Sequence, residues 1–229
     1  MNFKIITTQP QIYDSFLKTG LISRGIKKRI IRIGIYNLHD FAFDKHKSID
    51  DTPYGGGAGM VIKADIMDKA ISTLKLKTQN SKLKTILLTP QGKPFKQQDA
   101  KRLSKEKKLI IISGRFEGYD ERIRDLVDEE ISIGDFVLTS GDLPAMVLID
   151  AISRQIPGFI EKSESLHTES FDNNLLEFPQ YTRPENFKGK KVPKVLLSGN
   201  HQKVAEWREK QSLLRTKKRR KDLTSYLKK

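Results

Sequence analysis

The sequence predicts an α/β protein, a mostly parallel sheet domain followed by a small helical C-terminal domain. Two observations carry this expectation. Short apolar runs alternate with helix-period segments through the first two-thirds of the chain, as strand–helix–strand units do. After Pro157 that alternation stops, and the chain closes with a basic segment whose apolar residues recur at helical intervals.

Phe3–Thr8 reads as a strand and Gln11–Lys18 as a short helix. Ile30–Tyr36, β-branched and apolar, reads as a second strand. A loop runs through Asp50, Asp51, Pro53 and the Gly55–Gly59 cluster, and Ala64–Leu76 has helical spacing. Thr85–Thr89 is a buried-type strand stopped by Pro90 and Gly92. Gln97–Ser104 reads as a helix, and Leu109–Ser113 as a strand ending at Gly114. Glu130–Ile133 and Phe136–Thr139 read as extended pieces, and Pro144–Arg154 as a helix with proline in its first turn. Residues 158–190 are polar and aperiodic, a connection carrying a functional loop. Ser198-Gly-Asn is a helix start, after which Val204, Trp207, Gln211 and Leu214 share a face. The expected domains are 1–160, a connection over 161–180, and a basic helical domain over 181–229.

The 229 residues include no cysteine, which excludes disulfides and thiolate metal sites. His39, His46, His167 and His201 show no ligand spacing, so no metal site is expected. No run approaches the roughly 18 apolar residues of a membrane span, and the N-terminus lacks the layout of a signal peptide. A soluble, cytoplasmic protein with no membrane partner is expected. The net charge is +15, and residues 180–229 account for +12 of it, with 16 Lys+Arg against 4 Asp+Glu. A field so concentrated attracts polyanions. The same segment holds Trp207, Leu213, Leu214, Leu223 and Tyr226, which argues for a folded nucleic-acid-binding unit over a solubilising tail.

Gly55-Gly-Gly-Ala-Gly59 is not followed by the Gly-Lys-Ser/Thr of a phosphate loop, and no G-x-G-x-x-G occurs, so both nucleotide fingerprints are absent. Three expected strand ends nonetheless share glycine or proline: Thr89-Pro-Gln-Gly92, Ser113-Gly-Arg-Phe-Glu-Gly118, and the run from Ile133 to Pro144. Ligands of open α/β sheets bind beyond such ends. Backbone groups there, walled by Phe136, Val137 and Leu138, would suit an adenine ring. Glu169 and Glu177 stand in the polar connection, where most carboxylates are merely solvated; a functional reading makes one a general base. Arg154, at the end of the preceding expected helix, either complements the helix dipole or holds a developing negative charge.

Pro53-Tyr-Gly-Gly-Gly-Ala-Gly59, Gly114-Arg-Phe-Glu-Gly118, Ile133-Gly-Asp-Phe-Val-Leu138, Leu143-Pro-Ala145, Tyr181-Thr-Arg-Pro184 and Leu196-Leu-Ser-Gly-Asn-His201 together resemble the bacterial tRNA (guanine-N1)-methyltransferases, over essentially the whole chain. The resemblance implies a knotted SPOUT-type parallel sheet domain with a trefoil knot, a homodimer with active sites built from both subunits, and a basic domain gripping the tRNA anticodon arm. It implies methyl transfer from S-adenosylmethionine to N1 of the guanosine 3′ of the anticodon. It places the cofactor on Pro90, Gly114, Glu117, Ile133, Gly134, Asp135, Phe136, Val137, Leu138, Gly141 and Pro144. It gives Arg154 the guanine and Glu169 the N1 proton, with Mg2+ as an assistant for which no ligand set is visible.

Three positions depart from the family pattern. Glu169 stands where an aspartate is expected, keeping the carboxylate on a side chain one methylene longer. Phe136 replaces a tyrosine, and Thr8-Gln-Pro-Gln11 replaces a Phe-Pro-Glu pattern. A non-catalytic RNA-binding protein on the same fold would be expected to have lost cofactor or base residues. A ribose 2′-OH methyltransferase would not need a carboxylate in this loop. A DNA-binding regulator, which would use the tail alone, leaves the glycine turns unexplained, so no DNA partner is expected.

Overall fold

The computed structural model describes residues 1–76, 83–161 and 169–228. Residues 162–168 of the expected connection, His167 among them, and the Tyr226 side chain lie outside the described residues. The chain divides into two compact units, Met1–Glu161 and Lys162–Lys229.

In the first unit β1 (Asn2–Thr7) leads through a 3-10 turn (Pro10–Tyr13) into α1 (Asp14–Lys18) and α2 (Gly20–Lys27), then β2 (Arg32–Asn37). Two-residue strands β3 (Asp50–Asp51) and β4 (Val61–Ile62) pair across the glycine-rich loop. There follow α3 (Ala64–Leu76), β5 (Lys84–Pro94), α4 (Gln97–Leu103), β6 (Lys108–Ile112), β7 (Glu129–Ser132) and α5 (Asp142–Ser153). The five longer strands form one parallel sheet in the order β2-β1-β6-β5-β7.

A parallel sheet is covered on both faces, so its strands are apolar throughout and alternate between two cores. Phe3, Ile5, Ile86, Leu88, Leu109, Ile111 and Ile131 face the first core, beneath Ala145, Leu148, Ile149 and Ile152 of α5. Ile6, Leu87, Ile110 and Ile112 face the second, beneath Ile66, Met67, Ala70, Ile71 and Leu74 of α3. Lys4 points to this second face, and its Nζ donates to the Leu74 carbonyl at 2.9 Å near the end of α3. A cation is favoured at a helix C-terminus.

Two local expectations are corrected and one unassigned helix is added. β5 does not stop at Pro90 and Gly92 but continues to Pro94. Residues 89–92 loop out, so that Ile131 pairs first with Leu88 and again with Lys93. Glycine permits the return: a Cβ on Gly92 would sit 2.5 Å from the Ile131 nitrogen. Phe136–Thr139 is not a strand; it is an irregular segment after β7 with no sheet partner. Gly20–Lys27, unassigned from the sequence, is a helix that buries Ile22 and Gly25.

The second unit contains strands β8 (Asn186–Phe187) and β9 (Lys190–Lys191), a 3-10 turn (Lys194–Leu197) and the 19-residue helix α6 (His201–Arg219). Asn200 caps α6 by accepting from the Lys203 amide at 3.0 Å. Thr216, fully buried, donates to the Ser212 carbonyl and accepts from the Leu176 amide, which ties the segment before Phe178 to α6.

Gly92→Ala should lower the stability of the first unit by about 1–3 kcal/mol, because the added methyl meets β7 backbone that cannot rotate away. The midpoint of urea unfolding reads it, and an unchanged midpoint would refute this packing.

Candidate active site

The C-terminal ends of β1 and β6 are tied together beneath a cleft by one carboxylate. Asp142, the first residue of α5, is 1% exposed. Its Oδ1 accepts from Thr7 Oγ1 at 2.7 Å, Tyr13 Oη at 2.9 Å and Ser113 Oγ at 2.6 Å. Burial and the adjacent Asp142 charge push the Tyr13 hydroxyl above the usual tyrosine range, so it remains a donor. The anion also lies at the positive end of the α5 dipole. Next to it the Gly141 amide donates to the Gly114 carbonyl at 2.8 Å. A Cβ on Gly141 would lie 3.1 Å from the Gly114 nitrogen and the Ser113 Cα, so a side chain would push the two loops apart.

Three segments, the loop-out within β5 and those after β6 and β7, thereby line one cleft of about 220 Å3. The first supplies Thr89 and Pro90, the second Gly114 to Tyr119, and the third Ile131 to Gly134, Phe136 to Gly141 and Pro144. Ser132 Oγ shapes the third, donating to the Gly134 carbonyl and accepting from the Gly134 amide at 3.0 and 3.2 Å. Of the residues the sequence places on the cofactor, the structure gathers Pro90, Gly114, Glu117, Ile133, Gly134, Phe136, Val137, Leu138, Gly141 and Pro144 around this cleft, while Asp135 does not line it. Sequence reasoning missed Leu88, Tyr119, Ile131 and Ser132 as lining residues and the hydrogen-bonded cluster around Asp142. An acidic residue opening a helix directly after glycine was the available signal.

The cleft offers backbone groups and apolar walls. Phe136 is 53% and Val137 84% exposed, an unusual state for residues of this kind unless something covers them. Such a cleft fits a flat heteroaromatic ring read by backbone groups, with the Glu117 carboxylate available to a cationic portion. The Glu117 amide donates to the Met60 carbonyl at 3.1 Å, which joins the end of the glycine-rich loop to the cleft's rim. That loop turns on Gly55, Gly56, Gly57 and Gly59, all at positive φ, as a tightly turning segment should.

Arg154 and Glu169 fall in different units. Arg154 is the C-cap of α5, its amide bonded to the Asp150 carbonyl. Glu169 lines a separate cavity of about 460 Å3 in the second unit with Leu175, Phe178, Arg208 and Ser212. Among the described residues no three His, Asp or Glu side chains are placed to hold a metal ion. No helix of the described residues is long and apolar enough to cross a membrane.

The second unit exposes Lys203, Arg208, Lys210, Lys217, Lys218 and Arg219 on α6, and Lys188, Lys190 and Lys191 at the β8–β9 turn. Aromatic rings accompany the charges. Arg208 lies 4.7 Å over Phe178, and Tyr181 meets Trp207 at 6.4 Å between ring centroids. Basic groups interleaved with aromatics are the surface chemistry of nucleic-acid binders.

Comparison with known proteins bears on this geometry. The family described as tRNA (Guanine-1)-methyltransferase TrmD matches the chain over residues 1–226. A protein of Citrifermentans bemidjiense named tRNA (guanine-N(1)-)-methyltransferase is 50% identical over 217 residues, 94% of this chain and 86% of its own. One of Clostridioides difficile with the same name is 49% identical over 228 residues, 97% of each chain. One of Dehalococcoides mccartyi, again so named, is 48% identical over 224 residues, 97% of this chain and 90% of its own.

Asp142→Ala leaves three buried hydroxyls without their acceptor and should cost about 3 kcal/mol or more. Asp142→Asn, which keeps one acceptor oxygen, should cost less. Equal unfolding midpoints for the two variants in urea would contradict the role given to the carboxylate.

Proposed function

The chain belongs to the tRNA (guanine-1)-methyltransferase family, and on that premise we propose that it transfers a methyl group from S-adenosylmethionine to N1 of the guanosine 3′ of the anticodon in tRNA. One observation carries the reading: a chain that matches the family over residues 1–226 brings three strand ends together as one apolar-walled, backbone-rich cleft.

Bound S-adenosylmethionine supplies an electrophilic methyl group on a sulfonium. The chain contributes orientation and charge control. Leu138, Phe136 and the Gly134 and Gly114 backbone hold the adenosine portion, and Glu117 faces the cationic end. The target guanine leaves the anticodon-loop stack to reach the site. Arg154 holds O6, where negative charge develops as N1 loses its proton. Glu169 takes that proton, and its extra methylene relative to aspartate is met by a loop set slightly farther back. The basic second unit docks the anticodon arm. The working form is a homodimer that brings Arg154 and Glu169 to one guanine from two chains. Val137, Leu143 and Val147, exposed and apolar, supply its first-unit contact face. The SPOUT trefoil knot belongs to the same reading, supported by the close backbone approaches of Gly92 to Ile131 and of Gly141 to Gly114. The protein acts in the cytoplasm, and an EDTA arm of the assay below reports any assistance by Mg2+.

The deciding experiment uses labelled S-adenosylmethionine and unmodified tRNA transcripts carrying either G or A 3′ of the anticodon. Methyl transfer to the G transcripts alone, mapped to N1, is the expected result. Tight tRNA binding with no transfer to either set would overturn the reading in favour of a non-catalytic RNA-binding protein. Glu169→Gln should reduce turnover about 100-fold or more while cofactor affinity stays within about twofold. Full turnover would remove Glu169 from the role of base. Reversing Lys217, Lys218, Arg219 and Arg220 should weaken tRNA binding and flatten its dependence on salt; an unchanged salt slope places those residues outside the interface.

A further inference from the structure

Tyr119 stands where two cleft-forming segments meet the end of the glycine-rich loop. Its hydroxyl donates to the Leu88 carbonyl, just before the loop-out within β5, at 3.3 Å. Its ring lies against Gly114, where the chain leaves β6, so closely that a Cβ there would be 2.2 Å from both Cζ and Oη. The residues on either side bind the end of the glycine-rich loop: the Ile62 amide donates to the Gly118 carbonyl and the Asp120 amide to the Ile62 carbonyl, both at 3.0 Å.

The next residue is anchored as well. Asp120 accepts from the Arg122 amide, Nε and Nη2 at 3.0, 2.8 and 2.6 Å, and that guanidinium holds its carboxyl down at about 2. Tyr119 therefore cannot drift from its seat without breaking contacts on both sides. Burial raises the Tyr119 hydroxyl above the usual tyrosine range, opposed by the Gly114 amide, so the group stays protonated and keeps its donor.

We propose that Tyr119 is a positioning residue for the cofactor, its hydroxyl setting the separation of the Leu88–Pro90 and Gly114–Gly118 walls between which S-adenosylmethionine is held. This deepens the function proposed above and rests on it. The phenol touches both walls and itself lines the cleft between them. A cleft that recognises its ligand through backbone groups has few side chains with which to correct a wall that moves, so the effect of the lost hydroxyl should appear in cofactor affinity.

Tyr119→Phe removes one hydrogen-bonding group and keeps the ring. Ile22→Val, a buried change in α2 that does not line the cleft, serves as a control for general loosening. Cofactor Kd is measured by titration calorimetry with S-adenosylmethionine, tRNA Kd by filter binding, and Tm for each protein. The expected result is a rise of about tenfold in cofactor Kd for Tyr119→Phe. Its tRNA Kd should be unchanged, and its kcat at saturating cofactor within about twofold of the unaltered chain. Ile22→Val should lower Tm and leave cofactor Kd unchanged. A cofactor Kd within twofold for Tyr119→Phe, or an equal rise in both variants, overturns the inference. Failure of the unaltered chain to bind S-adenosylmethionine would instead remove the functional reading, and this inference with it.

Discussion

The Asp142 carboxylate is buried where an isolated charge would be strongly disfavoured, and three hydroxyls from separate parts of the chain make its position tenable. Thr7 closes β1, Tyr13 ends the following 3-10 turn, and Ser113 directly follows β6. Each contributes a donor that would itself be costly to leave unpaired in the interior. The arrangement has one solution: the N-terminus of α5 must sit over the ends of β1 and β6. Once it does, Gly141 reaches Gly114, and the segments after β6 and β7 become the two walls of a cleft.

On the proposed function, that constraint explains why the cofactor is held mainly through backbone. The cofactor chemistry needs a cationic sulfonium held in line with a nucleophile, and the chain's task is geometric. Rigid strand ends over a satisfied polar cluster suit that task better than long flexible side chains do. Charge is kept elsewhere. Residues 1–179 carry a net +3 and residues 180–229 a net +12, so on the proposed function attraction of the polyanionic substrate falls to the second unit. The cleft is left apolar enough to hold a ring.

Much of this was legible in the sequence, for identifiable reasons. Strand alternation with helical spacing marks the parallel sheet because a doubly covered sheet must be apolar on both faces, and Leu109 to Ile112 satisfy both cores at once. Ala64–Leu76 shows its period plainly and forms α3 over those residues. The glycine and proline punctuation marked the three segments that line the cleft. The misses are tertiary. Pro90 and Gly92 have the local signature of a terminus, yet β5 re-pairs beyond them because β7 is there to receive it. Phe136 to Thr139 have strand composition, yet among the described residues no strand pairs with them. Asp142, Tyr13 and Thr7 are 129 to 135 residues apart across their hydrogen bonds, and no local pattern links them. Tyr119 reads as an ordinary aromatic in a turn until the fold brings Leu88 to its hydroxyl.

The central claim is that the strand ends gathered over Asp142 are the cofactor site. Amide hydrogen exchange of the whole chain, with and without saturating S-adenosylmethionine, tests it directly. The account predicts that cofactor slows exchange in two stretches, Gly114 to Tyr119 and Ile133 to Gly141, and leaves α6 unchanged. Protection confined to the second unit, or binding without protection of either stretch, would contradict it.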